Sequence, residues 1–180
     1  RMGTVGIVSQ AYGRAASREL VKSLLRNLVI SLSIAALIII LTPLINFSIQ
    51  HFFNTSTETQ KLISAYINVR VFSVPAELII YILVGFYLGI QKTNISSLLI
   101  VTFSVLNIVF SSVLVLSYNL NVFGFALGTL IASYITLIIF TLFTRNFIIK
   151  KFKIIPRFEK LIVQSKILKL LKINLDIFIR

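Results

Sequence analysis

Between residues 93 and 144 the chain contains no Asp, Glu, Lys or Arg. A soluble fold does not accommodate so long a charge-free run, because a water-facing helix keeps one polar face. At about 1.5 Å per helical residue, the run is long enough for two crossings of an ~30 Å hydrocarbon layer. Composition agrees: 57% of the 180 residues are hydrophobic and 13% are charged. That is more apolar surface than one core of this size buries, with about half the usual charged share. The partner implied for the excess is a lipid bilayer.

The same reasoning extends to both sides of the run. Residues 27–50 also lack charge, and apolar character returns from 62 to 90 after the polar segment 54–60 (NTSTETQ). Short polar turns at 91–94 and 117–121 bound the next apolar stretch and separate it from the last. Spans are therefore expected at 27–50, 62–90, 95–116 and 122–143, and the fold class is all-α, a polytopic transmembrane helix bundle. Gly13 is expected to cap the helix that precedes the first span. Pro43 falls near the far end of that span, where a lost hydrogen bond disturbs least. Residues 15–26 repeat Arg18, Lys22 and Arg26 at a four-residue spacing, which places them on one face at the headgroups. The basic stretch 145–172 is amphipathic enough to lie on the membrane surface.

Charge sets the orientation. The segments 14–26, 91–94 and 145–172 fall on one side of the alternation and hold most of the basic residues, so that side is expected to be cytoplasmic. The expected location is the cell (inner) membrane. A net charge of +13 would suit a nucleic-acid binder only if the cations formed a solvated face, and here they sit beside hydrophobic runs. No nucleic-acid partner is expected. With no cysteine and a single histidine, His51, the chain offers no disulfide, no thiol nucleophile and no metal cluster, and it is not expected to be an enzyme. It opens on Arg1, and residues 174–180 read as the start of a helix, so an internal piece of something longer is expected.

Several short motifs occur in order. Residues 1–13 read RMGTVGIVSQAYG, residues 66–70 read YINVR ahead of Pro75 and Ala76, and Gly85 precedes Gly89, Ile90 and Gln91. Asn107-Ile-Val and residues 124–129 (GFALGT) come next, and residues 174–180 (NLDIFIR) close the series. It resembles the multidrug and toxic compound extrusion (MATE) family, within it the DNA-damage-inducible protein F-like branch. The resemblance covers essentially the whole chain, from the end of the second helix to the start of the seventh. It implies a twelve-helix transporter of two lobes, with residues 1–145 in the N-terminal lobe and 146–180 forming a basic cytoplasmic connector and the start of the next helix. The missing second lobe would be the chain's main protein partner. The implied activity is secondary antiport: drugs or organic compounds leave in exchange for H+ or Na+, by alternating access, with no cofactor other than the coupling ion. A lipid-linked oligosaccharide flippase of the same superfamily and a non-transporting membrane fragment are the other readings.

Coupled export needs polar groups inside the bundle that bind and release an ion. Asn107 and Ser111 lie four residues apart on one helical face. The resemblance puts Asn107 in the family's cation-site network, with a carboxylate four residues on; here that position is Ser111. Both also suit interhelical hydrogen bonding. Thr129 follows the small residues Gly124, Ala126 and Gly128, and the resemblance places it near the same site, although its hydroxyl could equally bond its own preceding turn. Glu77 is the only acid between Glu58 and Glu159, and a carboxylate at the bilayer centre costs about 2.5–3.5 kcal/mol. It is a candidate ligand for a cation or polar substrate, helped by a carbonyl that Pro75 would free one turn earlier. Arg70, seven residues before Glu77, is the candidate counter-charge. Arg70 and Pro75 are thus structural or gating candidates.

Overall fold

The computed structural model describes residues 2–52 and 56–153. Six helices follow one another: α1 (Met2–Gly13), α2 (Ser17–Phe52), α3 (Thr57–Arg70), α4 (Val74–Gly89), α5 (Thr93–Ser112) and α6 (Asn121–Phe152). A single 3-10 turn, Val71–Ser73, joins α3 to α4, so the two form one span from Thr57 to Gly89. A wide π turn, Val113–Ser117, extends α5. Four helical stretches are long and apolar enough to cross a membrane, and no strand occurs among the described residues. The all-α, multi-pass architecture expected from charge exclusion is the one observed.

The helices outrun the apolar windows. α2 begins at Ser17 rather than near 27 and continues through Pro43, and α6 runs to Phe152, carrying Arg145, Lys150 and Lys151 on its last turns. Hydropathy marks where hydrocarbon ends, whereas the backbone ladder ends only at a breaker or cap, and none stands at either place. Residues 145–152 of the expected surface segment therefore continue α6 as one helix; the remainder, with most of the expected connector, lies outside the described residues.

The cap after α1 also differs from expectation. Gly13 is still helical, and the left-handed residue is Ala15, with φ 52°. Arg14 N–H still reaches Gln10 O, which delays the reversal; Ala15 N–H then bonds Tyr12 O and Ala16 N–H bonds Ala11 O, each at 3.0 Å. These are the paired bonds of a Schellman closure, two residues later than the glycine. α4 closes in the same way on Gln91, whose φ is 61°.

α4 sits at the centre. Its Phe86 and Tyr87 are fully buried against Val8 and Ala11 of α1, Leu20 and Leu24 of α2, Leu99 of α5 and Phe140 of α6. The outer surface is apolar instead: Ile40, Ile108 and Leu116 are between 66% and 76% exposed. In water that surface would drive aggregation; in lipid it is the normal outer face of a bundle whose backbone bonds are satisfied within each helix.

Candidate functional site

Two polar constellations interrupt the apolar interior. The first lies on the contact between α5 and α6. Gly128 has no Cβ, and one placed there would stand 2.6 Å from both the Cα and the N of Ser111 and 2.5 Å from its Oγ. Gly124, one turn earlier, meets the start of the α5 extension less tightly, a Cβ there standing 3.2 Å from the Leu114 carbonyl carbon. The two glycines let the helix backbones touch, as small residues do at membrane helix contacts. Ser111 is buried by that contact, and its hydroxyl donates to Asn107 Oδ1 at 3.0 Å. The Asn107 amide nitrogen makes no hydrogen bond among the described residues. Thr129, next to Gly128, is also buried, and its hydroxyl donates to Phe125 O at 3.0 Å, within its own preceding turn. Ser111 thus meets α6 at Gly128, with Asn107 one turn before it on α5 and Thr129 next to Gly128 on α6.

The second constellation is the junction of α3 and α4. Arg70 holds Glu77 with two parallel N–H donors, Nη1 to Oε1 and Nη2 to Oε2, the latter at 3.0 Å. Nη1 also donates to Ser73 Oγ, and the Ser73 hydroxyl donates to Arg70 O at 2.6 Å. A guanidinium fork on a carboxylate is the strongest ion-pair geometry available to side chains. The pair expected from the seven-residue spacing is therefore formed. Pro75 occupies the first turn of α4, where a missing N–H leaves no helical bond unmade. The expected free carbonyl is not free: Val71 O, one turn before Pro75, accepts from Val74 N–H. The 3-10 turn tightens the chain by one residue and fills the acceptor. The next carbonyl, Phe72 O, accepts from Tyr134 of α6 at 3.1 Å. A cation at this junction would therefore have to take Glu77 away from Arg70 and could not rely on unused backbone oxygens.

Other polar contacts are invisible in one dimension. Asn46 of α2 donates to Asn68 of α3 at 2.7 Å, and Tyr87 and Thr144 share a hydrogen bond of 2.8 Å between α4 and α6. The only advance signal is an amide or hydroxyl within an apolar run. Where the ends of α1 and α6 meet, Lys151 Nζ donates to Tyr12 Oη at 3.3 Å and lies 5.1–5.6 Å from the rings of Tyr12, Phe147 and Phe152. Among the described residues no group of three or more His, Cys, Asp or Glu could hold a metal.

Comparison with known proteins gives this geometry its family. DNA damage-inducible protein F of Escherichia coli is 35% identical across the whole chain, which spans 39% of that protein. Multidrug export protein MepA of Staphylococcus saprophyticus is 30% identical over 62% of this chain and 25% of its own length. The chain thus spans well under half of these relatives. Among solved structures, an outward-facing multidrug resistance MATE family transporter of the MOP superfamily superposes over 96% of this chain and 38% of its own, with TM-score 0.84 and 22% identity. A MOP superfamily transporter from Pyrococcus furiosus does so over 96% and 39%, with TM-score 0.78 and 22% identity. The family model for MatE matches residues 1–113, and on that match over more than half of its length the chain belongs to the MatE family.

Proposed function

We propose that this chain forms part of the N-terminal lobe of a secondary antiporter that exports drugs or organic compounds in exchange for H+ or Na+. The observation that carries the reading is the polar seam of Asn107, Ser111 and Thr129, held within the charge-free run 93–144. A hydrogen-bonded amide and two hydroxyls offer oxygen ligands without a permanent charge. Such a site needs a second element to complete it, and the Asn107 amide nitrogen, without a hydrogen bond among the described residues, could be offered to that element. Two lobes rocking about a central cavity would expose the seam to each side in turn. The flippase reading asks for an interior cation, and the interior candidate, Arg70, is neutralised by Glu77.

The test is transport by the whole protein in inverted vesicles with an imposed proton or Na+ gradient. Gradient-dependent uptake of an organic cation is expected, and Ser111→Asp should increase its dependence on the gradient severalfold, because it places a carboxylate one turn from Asn107. Uptake that ignores both gradients in the parent protein would remove antiport. Topology can be tested on the same reading. A cysteine at Ser56 or Asn119 should react with an impermeant thiol reagent from outside the cell, and one at Thr93 or Asn146 should react only after the membrane is opened. The reverse pattern would invert the orientation drawn from the basic segments.

A further inference from the structure

A cleft of about 710 Å³ runs between α2 and α6 with α4 at its floor. Its walls are mainly apolar, Leu25 and Leu32 facing Ile138 and Leu142, with Leu83 beneath them; Thr141 and Thr144 also line it, and the charged lining residue is Arg145, one turn before Ile148 at the end of the lining. On α2 the lining extends from Val21 to Leu32, a rise of about 16 Å at 1.5 Å per residue, close to half of an ~30 Å hydrocarbon layer. The cleft is therefore about one leaflet deep, and Arg145 stands at the end that carries the basic segments.

Arg145 is exposed, and the one salt bridge among the described residues is that of Arg70 with Glu77. Nothing in the described chain neutralises Arg145. Arg18 and Lys22, both exposed, precede the lining residue Leu25 by seven and three positions, on the stripe of α2 that borders the cleft. Arg145 is thus the cation that lines the slot, with Arg18 and Lys22, and the acid Glu19 between them, further along α2 toward the same end. A free phosphate would use the cations and leave the slot empty, and a hydrophobic peptide would fill the slot and leave the cations unpaired.

We propose that this cleft binds an anionic phospholipid of the cytoplasmic leaflet, with its phosphate on the Arg145 guanidinium and one acyl chain lying between α2 and α6. A guanidinium matches phosphate oxygens in a two-point fork. The apolar walls meet the chain as lipid would. The site is separate from the α5–α6 seam and does not rest on the transport reading.

These 180 residues contain no Trp, so an introduced Trp reports alone once any Trp elsewhere in the whole protein is replaced by Phe. Ile138, 58% exposed at the edge of the cleft, is the reporter position, and Val105, 51% exposed on α5, is the control. The full chain carrying Ile138→Trp is reconstituted in phosphatidylcholine vesicles with a small fraction of brominated phosphatidylglycerol or, separately, brominated phosphatidylcholine. Phosphatidylglycerol should quench the cleft reporter at several-fold lower mole fraction than phosphatidylcholine, while the Val105→Trp control should not distinguish them. Arg145→Gln should weaken the preference about fivefold, the effect of one basic residue near an anionic surface, and Arg145→Lys should keep most of it. Equal quenching by the two lipids, the same preference at the control position, an unchanged preference in Arg145→Gln, or no quenching by either lipid because protein covers the cleft would each overturn the proposal.

Discussion

Replacing Gly128 with leucine should separate α5 from α6 and leave little folded bundle, whereas Gly6→Leu should be tolerated. The contrast comes from what a new Cβ would meet. At Gly128 it would stand 2.6 Å from Ser111 backbone atoms, and at Gly6 nothing among the described residues lies within 4 Å. Carbon contacts settle near about 3.5–4.0 Å, so the helices would have to part by roughly 1 Å for alanine alone. A backbone cannot rotate away as a side-chain tip does. Overpacking of this kind costs about 1–3 kcal/mol, occasionally more, so Gly128→Ala should sit within that range and leucine beyond it. Thermal unfolding in lipid nanodiscs, with the monodisperse fraction as a second readout, measures both. If Gly128→Leu were as stable as the parent, the close α5–α6 approach would be wrong, and with it the seam that brings Asn107 and Ser111 against α6.

The second large effect is expected at Arg70 and Glu77. Removing one member of a buried ion pair costs about 3–5 kcal/mol because the other charge is left uncompensated. These side chains are 29% and 14% exposed, so solvent and headgroups should reduce the loss to roughly 1–3 kcal/mol. Glu77→Gln and Arg70→Gln should each destabilise, and the double variant should recover much of the loss. Transport separates structure from function. If Glu77 takes part in coupling, Glu77→Gln should abolish gradient-driven export while membrane insertion survives, and the double variant should regain stability without regaining export. A double variant that exports at the parental rate would make the pair packing only, with coupling left to the α5–α6 seam or to parts of the protein beyond this chain.

The Arg70–Glu77 pair is legible in the sequence because it is local. Seven residues return a side chain to the same face of one helix, and the 3-10 turn between them preserves that face. The Asn107–Ser111 bond is local for the same reason. The carbonyl expected near Pro75 is occupied because a rule for α-helix interiors does not hold at a helix start, where Val74 N–H fills the acceptor. The cap expected at Gly13 falls elsewhere because glycine is favoured in the left-handed region but not required there. Ala15 and Gln91 adopt it when two backbone hydrogen bonds offset about 1–2 kcal/mol of strain.

The sequence alone determined the class, the number and order of the spans, the crowded face around Gly124 and Gly128, and the family resemblance. Burying charge in hydrocarbon is so unfavourable that its absence over a long run reads directly as a crossing. Only the tertiary structure decided which helix meets which: Ser111 against Gly128, Asn46 with Asn68, Tyr87 with Thr144, and α4 at the centre. In water a helix declares its inner face by apolar periodicity, but in lipid the outer face is apolar as well. With both faces alike, the rotation and offset of each helix are set by close packing and a few polar contacts, and those exist only once the partner helix is in place.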